Sequence, residues 1–256
     1  MDIIELQEPS LSSLLGIIEN KMGAYGCLFR GHGDAGWGLC PSLYRIPNLR
    51  VHGQSLEKNY DYFEQKCLDF FFTEGLPYLP HIPRGYVNDR ILGQHFGVPT
   101  KLLDWSTDPF VATFFAVEDF NRDSDAAIFI LLPDANYSVD QVGPIDDQHP
   151  HRAMAFRPPA IDRRIPAQKS VFTLHPFGPP NEKYVPIDLR QEIGGQHSVR
   201  GGIVKRGFAK ITIPKGFKLL LLQTLLSLGI DRRNLFPGLD GVGTDVALRV
   251  KVDQIR

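Results

Sequence analysis

The stretch of residues 126–132 constrains the fold more than any other part of the chain, because it reads Ala-Ala-Ile-Phe-Ile-Leu-Leu without one polar side chain. A short apolar run of this kind is typical of a strand that is buried on both faces. Such a strand needs a neighbour on each side. We therefore expect residues 126–132 in the interior of a sheet.

Start and stop signals locate several helices. Ser10 and Asp108 precede apolar helical patterns, and Pro109 occupies the first helical position, where a missing donor is tolerated. Asn88 is the predicted cap of a short helix that Gly97 ends. The predicted helices span residues 11–18, 55–73, 88–96, 110–119, 217–230 and 244–250.

The helix of residues 55–73 has its apolar residues at helical spacing. Phe63, Cys67, Phe70 and Phe71 are predicted to form its buried stripe. Besides residues 126–132, the predicted strands span residues 25–31, 170–174 and 208–213. Residues 133–166 contain Pro and Gly without a long period and are predicted to form loops.

Short strands are mixed with helices, but strand and helix do not alternate regularly. This pattern favours an α+β fold with a short-stranded mixed sheet and flanking helices over a doubly wound parallel sheet. No linker interrupts the 256 residues. We expect a single domain over residues 1–256.

Cysteine usage and hydropathy suggest a compartment. Cys27, Cys40 and Cys67 are too few and too scattered for a disulfide framework, which favours a reducing environment. The first ten residues lack the basic and apolar regions of a signal peptide. The longest apolar run, within residues 216–230, falls short of the about 20 residues that span a bilayer. We expect a cytoplasmic protein without a membrane partner.

The net charge of −1 conceals an asymmetry along the chain. Residues 151–215 hold 12 Lys and Arg against 4 Asp and Glu, whereas the rest of the chain is acidic. A basic segment would suit phosphate, nucleic acid or an acidic partner protein. Alternatively, these charges scatter over a solvated surface.

The chain lacks the motifs of P-loop, Rossmann, zinc-protease and nucleophile-elbow proteins, and its His and Cys residues do not pair at zinc-ligand spacing. We therefore expect no metal. The candidate residues instead lie where predicted strands end. Arg30 closes the strand of residues 25–31, where it either pairs with an internal carboxylate or reaches an anion in a cleft. Gly31 would permit close approach of a ligand.

Two further segments are dense in polar residues. Residues 92–109 contain Gln94, His95, Asp104 and Ser106 between two predicted helices, a density that is common in functional loops. The alternative is a polar network that only fixes the loop. Arg163, Arg164, Gln168 and Lys169 precede the strand of residues 170–174 inside the basic segment, and Gln168 either faces a cleft or is exposed.

Taken together, these motifs resemble the FRG domain family. The resemblance rests on Phe29-Arg30-Gly31, on the segment Gln94-His95-Phe96-Gly97-Val98-Pro99-Thr100-Lys101-Leu102-Leu103-Asp104-Trp105, and on matches near residues 39–45, 109–116, 164–172 and 235–241. It implies a cytoplasmic bacterial protein of a family in which some members are toxins or phage-defence effectors.

A more distant resemblance connects the chain to ADP-ribosyltransferases of the Arg-Ser-Glu class. Arg30-Gly31 matches the end of their first strand, and Ser106-Thr107 with the helix from Val111 to Ala116 matches their second motif. The resemblance implies an ADP-ribosyltransferase-like fold and NAD as substrate. Phe110 or Trp105 would stack on a flat ring. The same resemblance implies catalytic roles for Arg30, Asp104, Ser106 and Gln168. It also implies NAD contacts by Arg30, Gly31, Gln94, His95, Thr107 and Phe110.

Gln168 departs from the family pattern, because that class has a Glu near this place. A Gln can hydrogen-bond a ribose hydroxyl but supplies no charge to stabilise an oxocarbenium ion. Asp104, Glu192 and Asp240 are the candidate replacements.

Three functions remain open at this stage. The first is a mono-ADP-ribosyltransferase toxin acting on a polyanion such as RNA, with Arg163, Arg164 and Lys169 binding the target and an antitoxin protein as partner. The second is a nucleic-acid-binding or nucleolytic effector with His95 and Asp104 as acid and base. The third is a protein-interaction module with a catalytically silent pocket.

Overall fold

The computed structural model describes residues 2–22, 26–47, 49, 56–79, 84–133, 135–143, 153–175, 177, 184–189, 196–198 and 204–254. Glu192, one of the candidate acids, lies outside these residues.

Ten strands are found in this part of the chain. They are β1 (Asp2–Glu5), β2 (Leu28–His32), β3 (Leu102–Ser106), β4 (Ala126–Leu131), β5 (Asn136–Tyr137), β6 (Met154–Phe156), β7 (Ser170–Leu174), β8 (Gln196–Ser198), β9 (Val204–Arg206) and β10 (Phe208–Ile213). Eight of them form one sheet in the order β1-β10-β4-β2-β3-β7-β6-β5, and β8 pairs with β9 separately.

The α-helices of the same residues lie between and after these strands. They are α1 (Leu11–Met22), α2 (Leu56–Glu74), α3 (Tyr86–His95), α4 (Pro109–Val117), α5 (Arg164–Ala167), α6 (Lys218–Ser227), α7 (Arg232–Leu235) and α8 (Leu239–Asp253).

The apolar run does form an interior strand. All six residues of β4 are buried, between β10 on one side and β2 on the other. The outermost pairs, β1 with β10 and β5 with β6, are parallel, and the pairs between them are antiparallel. The mixed sheet with flanking helices confirms the predicted α+β class.

The two faces of the sheet are covered by different parts of the chain. On one face, Phe29 and Ile128 pack with apolar residues of α1, α4 and α6. On the other face, Leu28, Phe129 and Trp105 form a second cluster. Successive residues of β2 thus point into different layers, as the alternation along a strand requires.

Several local predictions are confirmed and others are wrong. The Asp108 carboxylate accepts from the Phe110 amide at 2.8 Å, so it caps α4 as predicted. Gly97 ends α3 with φ of 88°. Asn88 is no cap, because α3 begins at Tyr86. The segment of predicted loops contains β5, β6 and α5, and α8 is longer than predicted.

The buried side of α2 differs from the predicted stripe. Phe70 is 66% exposed, whereas Glu64 is fully buried together with Leu68. The Glu64 carboxylate lies 2.9 Å from an Arg90 nitrogen and accepts from the Lys101 amide at 2.9 Å. A buried carboxylate with these partners is satisfied. It ties α2 and α3 to the start of β3.

The junction of β2 and β3 is the weakest pairing inside the sheet, since Phe29 opposite Ser106 is their one register pair. Next to it, α4 lies so close to β2 that a Cβ at Gly31 would overlap the carbonyl oxygen of Ala112. Gly31 is therefore required by helix packing, and the strands separate directly beyond this point.

Replacing Gly31 with Ala should force α4 away from β2. We expect Gly31→Ala to lower the free energy of unfolding by roughly 1–3 kcal/mol, the usual effect of overpacking, in urea titrations. Gly16→Ala is the matched control: Gly16 lies inside α1, and a Cβ there would meet nothing within 4 Å. It should instead add up to about 1 kcal/mol. Equal effects of both changes would contradict this account.

Candidate functional site

A cavity of about 560 Å³ opens where β2 and β3 separate. We call it the main cavity. Side chains from the sheet, from the loop after β2 and from α4 line it. The lining includes Arg30, His32, Trp37, Arg45, Asp104, Ser106, Glu118 and Gln168.

Arg30 bridges the gap between the two strands. Its Nη1 donates to the Asp104 carbonyl oxygen at 2.6 Å and lies 2.8 Å from Asp104 Oδ1. Its Nε donates to His32 Nε2 at 3.0 Å. Among the described residues, none accepts a hydrogen bond from Nη2. Arg30 therefore pairs with an internal carboxylate, the first of the two roles considered for it, and it also lines a cleft.

His32 orients Arg30 as a neutral ring. Burial, and next the charge of Arg30, lower the pKa of His32 to about 3. Since Nε2 accepts from Arg30, the ring proton resides on Nδ1, which lies 3.2 Å from the Trp37 carbonyl oxygen. His32 is thus an acceptor that fixes the guanidinium over the whole physiological pH range.

Asp104 is held in its ionised form. Burial raises the pKa of this carboxyl, but the charge and hydrogen bonds of Arg30 outweigh burial, so the pKa lies below its ordinary value. Half of the side chain remains exposed to the cavity. Gln94 Nε2 approaches Asp104 Oδ1 at 3.4 Å, and Thr100 donates to Gln94 Oε1.

Ser106 and Gln168 meet across β3 and the end of α5. The Ser106 hydroxyl donates to the Gln168 carbonyl oxygen at 2.8 Å and accepts from the Asp108 amide at 2.9 Å. Gln168 Nε2 donates to the Leu235 carbonyl oxygen at 3.0 Å. Lys169, with φ of 49°, turns the chain from α5 into β7 in a conformation that non-glycine residues seldom adopt. This turn places Gln168 beside the cavity.

The remaining predicted NAD contacts are distributed differently. Gln94 and His95 line a second cavity of about 230 Å³ that shares Asp104 and Gln168 with the first. Phe110 packs against the core of α1, α4 and α6, and Thr107 Oγ1 lies 3.5 Å from the Lys169 carbonyl oxygen. Neither residue lines these two cavities.

Two described cations of the basic segment pair with carboxylates from outside the segment. Arg164 pairs with Asp240 at 2.9 Å and Lys169 with Asp108 at 2.6 Å. Arg163, in contrast, is exposed. Asp240 is thereby an ion-pair partner outside the main cavity. Of the three predicted target-binding cations, Arg163 alone has no carboxylate partner among the described residues.

Sequence reasoning missed Glu118, which follows directly after α4 and lines the main cavity. Burial raises the pKa of this carboxyl, although Arg232, at 2.7 Å, opposes the shift. A signal did exist: Val111, Phe115 and Glu118 are spaced by four and three residues, so they share one face of the predicted helix.

Sequence reasoning also missed Trp37, the most exposed aromatic residue of the main cavity. Trp105 is buried and donates from Nε1 to Thr173 Oγ1 at 2.8 Å, so neither it nor Phe110 is presented for stacking. Trp37 is 49% exposed at the cavity, with the Arg122 guanidinium 4.9 Å from its ring centre. It is the indole that a flat ring in the cavity would meet.

Within the described part of the chain, no three His, Cys, Asp or Glu residues are grouped so that they could hold a metal ion. A search of the same residues found no helix with the length and apolar character needed to cross a membrane.

Comparison with known proteins identifies one family. Residues 26–125 match the family model described as the FRG domain, which supports the resemblance to that family. The match runs from the start of β2 to the start of β4 and includes Arg30, Asp104, Ser106 and Glu118. Neither the curated proteins nor the solved structures include a match to this chain.

Glu118 should lower stability at neutral pH. Because its folded-state pKa lies above the ordinary value, the stability it contributes falls as pH rises above about 4 and reaches its minimum once the folded carboxyl ionises. Glu118→Gln should therefore raise the urea midpoint at pH 7, and the gain should vanish below about pH 4. Asp119→Asn, at an exposed carboxylate paired with Arg122, is the control and should change little. A lower midpoint of Glu118→Gln at pH 7 would refute the assignment.

The Ser106 hydroxyl should act mainly on stability, because both of its hydrogen bonds are internal. Ser106→Ala leaves a carbonyl and an amide without partners, so we expect a loss of about 1–3 kcal/mol in the free energy of unfolding. Ser227→Ala, which removes an exposed hydroxyl on α6, should change it by less than about 0.5 kcal/mol. Unchanged stability of Ser106→Ala would show that its hydroxyl is free to serve a ligand.

Proposed function

We propose that this FRG-domain protein is a bacterial toxin or phage-defence effector that cleaves NAD and transfers its ADP-ribosyl group to a target. One observation carries the proposal: a single cavity is lined by an oriented arginine, Arg30, by a partly buried carboxylate, Glu118, and by Gln168. These groups match the charges of NAD cleavage, which are a diphosphate anion and a cationic ribose.

Arg30 and Arg45 supply positive charge to the main cavity. Asp104 compensates part of the Arg30 charge, but it also fixes the plane of the guanidinium and leaves Nη2 for a ligand. A planar guanidinium with a free nitrogen suits a phosphate oxygen. The volume of about 560 Å³ lies within the range of pockets that enclose whole organic ligands.

The reaction breaks the bond between ribose C1′ and the nicotinamide nitrogen, and the electron pair leaves with nicotinamide. Positive charge then develops on the ribose, where a carboxylate in a water-poor site stabilises it. Glu118 provides this carboxylate, in place of the Glu that Gln168 replaces. Since Gln168 Nε2 is held by Leu235, its Oε1 is the atom that would accept from a ribose hydroxyl.

A nucleolytic effector is the second candidate, because His95 and Asp104 line the same small cavity. Hydrolysis by this pair would need one group to donate a proton. Asp104 is a poor acid. Burial raises its pKa, but the neighbouring Arg30 holds the pKa below the ordinary value. The NAD reaction is therefore better supported.

The test is release of nicotinamide from NAD by the full chain, measured by chromatography in the presence of a cell extract as a source of acceptors. Arg30→Ala should reduce release by at least about tenfold, as expected for the loss of one charge-assisted hydrogen bond. Arg30→Lys should not restore it, because one ammonium cannot serve His32, Asp104 and a phosphate together.

The matched control is Arg84→Ala. Arg84 does not line the main cavity, and its exposed guanidinium pairs with Asp89 at 2.8 Å. It should leave nicotinamide release unchanged. Glu118→Gln should abolish release while the protein stays folded. An interaction module would release no nicotinamide in any variant, and a nuclease would degrade RNA while NAD stays intact.

A further inference from the structure

Three cavities are linked in succession by shared lining residues. The main cavity and the second cavity share Asp104 and Gln168. The second cavity shares Arg164 with a third cavity of about 430 Å³. His95 lines the second cavity, which lies between the other two in this succession.

The second cavity is built to accept a hydrogen-bond donor. His95 Nε2 and Asp162 Oδ1 lie 3.5 Å apart, and the His95 side chain is 12% exposed. Burial lowers the pKa of His95, although Asp162 opposes the shift, so the ring is neutral at pH 7. Nε2 faces the Asp162 carboxylate.

The size of the second cavity limits what enters it. About 230 Å³ is less than the roughly 300–1,000 Å³ that enclose a complete ligand, so it takes one end of a longer molecule. Phe172 and Phe236 form part of its wall.

The third cavity suits a phosphate group of the same long molecule, next to the end that enters the second cavity. Arg163 and Arg164 line it together with Asp162. Arg164 is engaged with Asp240. Arg163 is exposed, and no carboxylate of the described residues pairs with it. A phosphate one nucleotide away from the bound end would meet this guanidinium.

We propose that the second and third cavities receive the end of a nucleic-acid strand, whose terminal sugar hydroxyl accepts the ADP-ribosyl group with His95 as the base. The inference rests on the proposed NAD reaction. The hydroxyl oxygen bonds to ribose C1′ as nicotinamide leaves with the electron pair, and the hydroxyl proton passes to His95 Nε2. Asp162 then stabilises the imidazolium.

The experiment compares transfer with hydrolysis. The full chain, labelled NAD and an RNA oligonucleotide are incubated together, and label on RNA and nicotinamide release without RNA are measured separately. His95→Asn should reduce labelling at least about tenfold and should reduce acceptor-free release far less. Arg163→Ala should weaken binding of the fluorescent oligonucleotide in anisotropy titrations, whereas Arg84→Ala should change none of these quantities.

A DNA strand of the same sequence is tested beside the RNA, because both strands end in a sugar hydroxyl. Labelling of either strand supports the site. Blocking the strand ends should abolish labelling. Equal loss of labelling and release in His95→Asn would place His95 in NAD cleavage and overturn the proposal. Labelling of protein instead of nucleic acid would also overturn it. If the wild type releases no nicotinamide, the proposed function itself fails, whereas normal release with unlabelled strands refutes only the acceptor site.

Discussion

The Arg30–Asp104 bridge is the interaction on which the rest of the site depends. Two neighbouring strands that share one register pair would leave backbone groups unpaired inside the protein. Arg30 Nη1 donates to the Asp104 carbonyl oxygen and pairs with the Asp104 carboxylate. His32 accepts a hydrogen bond from Arg30 Nε. The gap between the strands is therefore stabilised while it stays open, which is what a ligand cavity inside a sheet requires.

The main cavity keeps polar groups that a purely structural interior would exclude. The raised pKa of Glu118, caused by burial, reports an unfavourable burial of charge that Arg232 does not fully offset. Lys169 holds a left-handed backbone conformation directly after Gln168. Such departures from the lowest-energy arrangement concentrate at functional sites. Their presence around one cavity agrees with the proposal that chemistry takes place there.

Local signals in the sequence predicted much of the fold. The apolar run of β4 and the Asp108 cap depend on neighbours in the chain, and both were predicted correctly. Among the proposed catalytic residues, Arg30, Asp104, Ser106 and Gln168 do line one cavity. Glu64 and Glu118 were missed because their burial depends on Arg90 and Arg232, which follow much later in the chain. No periodicity reports a partner of this kind.

The alternation of side chains along β2 limits the insertions and deletions that this chain can accept. Phe29, Arg30 and Gly31 serve three surfaces in succession: the helical core, the cavity and the close contact with α4. Inserting or deleting one residue at the start of this strand would rotate the alternation, bringing a benzyl group into the cavity and a guanidinium into the core. Length variation is therefore tolerable in the flanking loops but not between Leu28 and His32.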